Sequence, residues 1–266
     1  MWKIGGKTLK SRLLLGTSRY PSPEILEDSI QRSKAEVLTV SLRRQTATNS
    51  SASGNHFYRL LKKSQAHLLP NTAGCTSVKE AVTTAKMARD LFETHWIKLE
   101  VIGNDDTLQP DPFATVKAAE ILVKDGFEVF PYTTEDLVIA ERLVASGCKI
   151  IMPWAAPIGT GRGLVNPDGL RTLRQRLPQT NLIVDAGIGR PSDAAQVMEM
   201  GYDGVLINTA VATSLNPPMM AEAFAHSIGA GYLGHKAGII TKKDRAQAST
   251  PVVGQPFWHY QQEAKP

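Results

Sequence analysis

The chain has 266 residues, of which 42% are hydrophobic and 21% charged, with a formal net charge of +5. That length suits one α/β barrel of roughly 250 residues, is short for two enzyme domains, and comes with the composition of a globular protein that buries a core. No apolar run reaches the roughly 18 residues of a membrane span, the start at Met1-Trp2-Lys3-Ile4 lacks the apolar core of a signal peptide, and the basic residues are spread out rather than gathered with aromatics; we therefore expect a cytoplasmic protein with no membrane or nucleic-acid partner, and a weak bias towards anionic substrates.

In chain order, short β-branched runs predict strands at Leu13 to Thr17, Val37 to Leu42, His67 to Pro70, Trp96 to Ile102, Glu128 to Tyr132, Lys149 to Trp154, Leu182 to Asp185 and Val205 to Asn208. Helical spacing predicts helices at Pro23 to Ser33, Ser77 to Phe92, Asp111 to Asp125, Thr134 to Ser146, Pro167 to Leu177, Ser192 to Met200 and Pro217 to Ala230. Start signals are present at Ser77, with Glu80 three residues on, and at Pro191-Ser192-Asp193. Gly126 and Gly147 stand where helix ends need a left-handed residue.

Strand alternating with helix implies parallel strands joined by right-handed crossovers. Roughly eight such units of about thirty residues predict a single (β/α)8 barrel. An open doubly wound sheet is the alternative, but no GxGxxG follows the first strand, and chemistry-bearing residues recur at many strand ends. The polar stretch Arg43 to His56 reads as a long loop, either a lid at the barrel mouth or a plain surface loop. We assign residues 1–240 to the barrel and 241–266 to a polar tail, expected to be partly disordered or to lie over the barrel.

The two cysteines, Cys75 and Cys148, form no CxxC, and the six histidines have no metal-ligand spacing. A disulfide framework, a metal site and a bound cofactor are not expected. The chemistry concentrates elsewhere. In Trp96-Ile97-Lys98-Leu99-Glu100-Val101-Ile102, alternation puts Ile97, Leu99 and Val101 on the outer face and Trp96, Lys98, Glu100 and Ile102 inside the barrel. Buried charges are costly unless paired. The pair is either a self-compensating ion pair or a lysine whose pKa is lowered by desolvation, so that the neutral amine can attack a carbonyl while Glu100 moves protons.

Pro157-Ile158-Gly159-Thr160-Gly161-Arg162-Gly163 lets backbone N–H groups approach an anion, with a flexible turn as the plain alternative. Asp185-Ala186-Gly187-Ile188-Gly189 and Asn208-Thr209 follow the last two strands, where these barrels hold phosphate. Asp185 itself suits an acid/base or hydroxyl-binding role, or it stabilises a turn. An inward lysine beneath glycine-bearing loops suggests a phosphorylated carbonyl substrate.

WIKLEVI, PDP, PIGTGRG and DAGIG with PSDAA, along with LLLGTSRYPSPE and LLPNTAGCTSVKEAV, closely resemble the bacterial thiazole synthase family, and the likeness covers most of the chain from Leu13 to about Gly231. The resemblance implies condensation of 1-deoxy-D-xylulose 5-phosphate, dehydroglycine and sulfur into the thiazole phosphate of thiamin. The sulfur comes from a small carrier protein with a C-terminal thiocarboxylate. It also implies that Lys98 forms the imine with the sugar phosphate, that Glu100 and Asp185 transfer protons, and that Gly159, Ala186, Gly187, Asn208 and Thr209 contact substrate, chiefly its phosphate. Gly161 and Gly189 join them as phosphate-loop residues. Arg43, Arg44 and Arg162 are candidates for docking the carrier. The family suggests a homodimer or homotetramer, and dehydroglycine made either from glycine by an oxidase or from tyrosine by a radical enzyme. Two rival readings share parts of this pattern: a class I Schiff-base sugar-phosphate enzyme of the aldolase kind, and a non-catalytic sugar-phosphate-binding barrel. The Trp154-Ala155-Ala156 run before PIG and the length of the tail depart from the family's usual wording.

Overall fold

The structure, a computed structural model, describes residues 1–42 and 52–247, with 52–56 described by backbone alone. Eight strands close into an all-parallel barrel. They are β3 (Leu13–Gly16), β4 (Val37–Ser41), β5 (His67–Asn71), β6 (Trp96–Leu99), β9 (Glu128–Thr133), β10 (Ile150–Pro153), β11 (Asn181–Asp185) and β12 (Gly204–Ile207). Around it lie α1 (Pro23–Ser33), α2 (Ala52–Ser64), α3 (Val78–Phe92), α4 (Pro112–Lys124), α5 (Leu137–Ala145), α6 (Pro167–Arg176), α7 (Pro191–Glu199), α8 (Thr209–Ala212) and α9 (Pro217–Ala237). The predicted (β/α)8 class is the one observed.

Alternation along the strands divides the core into two. Leu13, Leu15, Leu38, Ile97, Leu99, Val101, Ile151, Val184 and Val205 face the helices. Leu14, Val37, Leu69, Trp96, Phe130, Ile150, Met152, Ile183 and Leu206 fill the barrel's lower interior. The outer and inner faces expected around Lys98 are therefore correct up to Val101.

The bottom of the barrel is closed by a hairpin that periodicity did not predict, β1 (Trp2–Ile4) with β2 (Lys7–Leu9). Gly5 and Gly6, at φ 50° and 76°, make its two-residue turn, which needs positive φ at both positions. Trp2, Ile4 and Leu9 join the inner core. Trp2 Nε1 donates to Asn181 Oδ1 at 2.8 Å, and Trp96 Nε1 donates to the carbonyl of Gly5 at 2.9 Å.

Other expectations need correction. The run Trp96 to Ile102 is not one strand. The ladder ends at Leu99, because Thr72 captures both backbone groups of Glu100: its Oγ1 accepts from Glu100 N at 2.8 Å and donates to Glu100 O at 2.7 Å. Ile102 then opens a separate antiparallel pair, β7 (Ile102–Asn104) with β8 (Gln109–Pro110), and is not an inward barrel residue. The expected loop from Arg43 to His56 is helical from Ala52 onward, and its remainder, 43–51, lies outside the described residues. The last helix runs past Ala230 to Ala237. Gly231 marks close packing there, since a Cβ would strike the carbonyl of Ala195 on α7. At α3, Ser77 caps as expected, accepting from Glu80 N at 3.3 Å. At α7 it is Asp193 that works, its Oδ2 accepting from Arg190 N at 2.9 Å and Gly189 N at 3.1 Å. Beyond Gly238 the described residues, to 247, are exposed and carry no helix or strand.

Candidate active site

A cavity of about 450 Å3 opens at the C-terminal ends of the strands. Lys98, Glu100 and Asp185 form its floor. Each is at least 94% buried, at 6%, 5% and 4% exposure. Lys98 Nζ lies 2.6 Å from Asp185 Oδ2 and 3.1 Å from Glu100 Oε1. The lysine stands one inward step above Trp96, and Asp185 one inward step above Ile183, so the charged floor rests on the apolar interior. Thr72 holds Glu100 in place through the two bonds described above.

Burial pushes the lysine's pKa down, but the attraction of Asp185 and then Glu100 outweighs it, and the net shift is upward. Of the two readings of the pair, this direction favours the self-compensating ion pair over the lysine of lowered pKa. Burial raises the pKa of Asp185, opposed by Lys98 and reinforced by Glu100. Two carboxylates thus share one cation on the buried floor of the cavity. Asp185 Oδ2 makes the shorter of the two contacts to the amine.

The rim comes from the glycine loops. Ile158, Gly159, Thr160 and Gly161 form one wall, and Ala186, Gly187, Ile188, Gly189 and Arg190 another. Ala186 sits at φ 77°, strained for a residue with a Cβ, and Gly187 follows at φ 79°. The pair turns the chain sharply after β11. A Cβ on Gly187 would collide with the backbone nitrogen of Ala156, and one on Gly189 with the carbonyl of Gly161, so the two loops interlock through missing side chains. Asn208 and Thr209 complete the rim. Asn208 is itself held, its Nδ2 donating to Ser18 Oγ at 3.1 Å and its Oδ1 accepting from Ser18 N at 3.2 Å.

Lys98, Glu100, Asp185, Gly159, Gly161, Ala186, Gly187, Gly189, Asn208 and Thr209 all line this one cavity. Arg162 is exposed and does not; Arg43 and Arg44 lie outside the described residues. Sequence reasoning missed Ser18, Thr39, Asn71, Arg190 and Tyr132. The first three are polar residues at inward positions near strand ends, a signal that the parity already used for Lys98 carries. Tyr132 is buried on β9, its ring 5.8 Å from Lys98 Nζ and its hydroxyl donating to the carbonyl of Leu108 at 3.3 Å.

An amine flanked by two carboxylates, in a barrel mouth ringed by glycine loops, defines a (β/α)8-barrel enzyme that handles protons around a fixed cation. Comparison with known proteins narrows this class. The chain matches the family described as thiazole biosynthesis protein ThiG over residues 3–251. It is 58% identical over 257 residues to the thiazole synthase of Coxiella burnetii, spanning 97% of this chain and 98% of that protein. Against the thiazole synthase of Neisseria meningitidis the identity is 60% over 259 residues, with the same coverage of 97% and 98%. Among solved structures, a chain from the Amycolatopsis orientalis BexX/CysO complex superposes with a TM-score of 0.80 at 28% identity, covering 91% of this chain and 98% of that one. The chain therefore belongs to the ThiG family, and it is an enzyme of thiazole synthesis for thiamin. Membership sets aside the aldolase-like enzyme and the non-catalytic barrel. Among the described residues, no helix is long and apolar enough to cross a membrane.

Proposed function

We propose that the chain condenses 1-deoxy-D-xylulose 5-phosphate, dehydroglycine and the sulfur of a thiocarboxylated carrier protein into thiazole phosphate, through a Schiff base on Lys98. The observation that carries this reading is the buried Lys98 Nζ within 2.6 Å of Asp185 and 3.1 Å of Glu100 on the cavity floor. The ammonium passes a proton to Asp185, whose raised pKa readies it to accept one. The neutral amine adds to the ketone of the sugar. The protonated carboxyl returns its proton to the departing hydroxyl, and water leaves as the imine forms. The iminium acidifies the neighbouring C–H bond, a carboxylate removes that proton, and the carbonyl migrates along the sugar. The carrier's thiocarboxylate sulfur then adds to the migrated carbonyl, the carrier's acyl group passes from sulfur to oxygen so that its C–S bond breaks and it leaves as a carboxylate, dehydroglycine supplies nitrogen and carbon, and the ring closes with loss of water. Glu100 and Asp185 serve the proton transfers. Gly159, Gly161, Ala186, Gly187, Gly189, Asn208 and Thr209 hold the substrate, with the phosphate against the glycine loops and Arg190 beside them.

A protein partner gains support from the BexX/CysO complex, in which a barrel of this shape is found with a second protein. Arg162 is exposed on the loop bordering the mouth and is the described candidate for its docking. Residues 1–240 form the catalytic unit in this reading, with 241–266 as an appendage. It includes a homodimer or homotetramer and a cytoplasmic location.

The test is borohydride trapping with 1-deoxy-D-xylulose 5-phosphate, peptide mass spectrometry, and Lys98→Ala as control. A reduced adduct on Lys98 supports the reading. Folded protein that yields no adduct refutes the Schiff base.

A further inference from the structure

The glycine-rich loop of residues 155–165 supplies one wall of the cavity, and both of its ends return to a single side chain. Glu135, just ahead of α5, accepts through Oε2 from the indole Nε1 of Trp154, where the loop begins. Through Oε1 it accepts from Asn166 Nδ2 at 2.9 Å, where the loop ends. Asn166 is in turn the cap of α6, its Oδ1 accepting from Gly169 N at 3.0 Å. Trp154 packs edge-on against Tyr132, with ring centroids 6.4 Å apart, and the Tyr132 ring faces Lys98 Nζ. Space for the junction depends on Gly169: a Cβ there would lie 2.7 Å from Asn166 Nδ2 and 2.8 Å from Glu135 Cγ. None of Glu135, Trp154 and Asn166 lines the cavity.

We propose that Glu135 is a positioning residue: its carboxylate clamps both ends of the glycine-rich loop and so sets where Gly159 to Gly161 stand over Lys98, and with them the substrate's anionic group. The proposal rests on the reading of this loop as the wall that holds that group. A loop containing three glycines has wide backbone freedom. Thr160 N to Pro157 O at 3.2 Å closes a short turn within it, Val165 N to Ala155 O at 3.1 Å joins its two ends, and Gly163 N to Gly187 O at 2.9 Å ties it to the neighbouring loop, all neutral backbone bonds. The charged clamp at its base limits that freedom more strongly than neutral bonds do. Two donors from opposite ends need an acceptor oxygen each, which a carboxylate has and a carboxamide lacks. Glutamine at 135 would turn its own NH2 group onto one donor.

The experiment compares the wild type with Glu135→Gln, Trp154→Phe and Asn166→Asp. The second keeps the ring against Tyr132 and loses the N–H. The third keeps the cap oxygen for Gly169 and loses the amide donor. In each, KM for the phosphorylated ketose rises about tenfold or more while kcat changes little, since displacement of a substrate-positioning loop by a fraction of an ångström is already costly. Borohydride trapping of a phosphate-free ketose on Lys98 is unchanged. Inorganic phosphate, titrated calorimetrically, binds correspondingly more weakly to each variant. That titration judges the clamp even where the wild type traps no ketose, an outcome that counts against the Lys98 reading alone. Unchanged phosphate affinity and KM, including alongside a lowered melting temperature, overturn the proposal, as does equal loss for both ketoses.

Discussion

Replacing Lys98 by methionine, of similar length and no charge, removes the cation from the floor and leaves Glu100 and Asp185 facing each other at 5% and 4% exposure. Breaking a buried pair by deleting one partner costs about 3–5 kcal/mol, because the remaining charge is stranded. For 266 residues the unfolding entropy is about 0.56 kcal/mol/K, so the melting temperature falls by about 5–9 °C at neutral pH. The sign with pH follows from the shifts. Lys98 has a raised pKa when folded, so its contribution in the wild type is present at all pH values below its ordinary range near 10.4. Asp185 is also raised, and loss of the lysine raises it further. A group that binds protons more tightly when folded stabilises below its unfolded pKa, near 3.9 for aspartate, and loses that contribution as pH rises through its folded value. The deficit of Lys98→Met is therefore smaller near pH 4, where the stranded aspartate is protonated, than near pH 8. Thermal unfolding followed by circular dichroism at several pH values reads it directly. Adding Asp185→Asn recovers part of the loss, since the stranded charge is gone. A variant as stable as the wild type at pH 8, or a deficit that does not vary with pH, would refute the account of three charges sharing a buried floor.

Gly187→Ala forces a side chain into a position at φ 79° whose Cβ meets the backbone of Ala156. Strain and overpacking together cost about 2–4 kcal/mol, and the cavity rim shifts; urea unfolding and phosphate titration measure the two effects separately. Trp2→Ala opens the barrel floor below the site, since Trp2 is 4% exposed, packs in the inner core and bonds Asn181. It costs about 3–5 kcal/mol in denaturant unfolding, and a loss under 1 kcal/mol would mean that the hairpin does not seal the barrel.

Much of this was legible because the barrel repeats one rule. Parallel strands buried on both faces alternate between helix-facing and axis-facing residues, so a lysine and a glutamate two apart in Trp96 to Glu100 had to share the interior. The same parity fits Thr39 and Asn71, which went unnoticed because one threonine or asparagine in an apolar run has no charge to draw attention. What was not legible depends on contacts between distant segments. The strand ending at Leu99 is set by a hydroxyl on Thr72, and the protonation of Lys98 by Asp185, which arrives from β11. Desolvation of Lys98 follows from its inward position; the second carboxylate that reverses the shift follows only from closure of the barrel. The hairpin at Trp2 to Leu9 lay below the length at which periodicity speaks, although its Gly5-Gly6 turn was a usable sign.

The raised pKa of Lys98 bears on the proposed chemistry in a way that a neutral amine would not. A low pKa favours attack on the ketone, yet everything after that step runs through a protonated imine. The two carboxylates that hold the resting ammonium at 2.6 and 3.1 Å are already placed for a positive nitrogen at the same point. In the proposed mechanism they would stabilise the iminium with no rearrangement, which is where preorganised charge contributes most. The cost falls on the first step, which needs the ammonium to release a proton, and Asp185, at 2.6 Å and with its pKa raised by burial, is the neighbour placed to take it. The second carboxylate is thus what divides the labour. In the proposed mechanism Asp185 exchanges the proton across the shorter contact, while Thr72 fixes the backbone of Glu100, the second carboxylate beside the nitrogen.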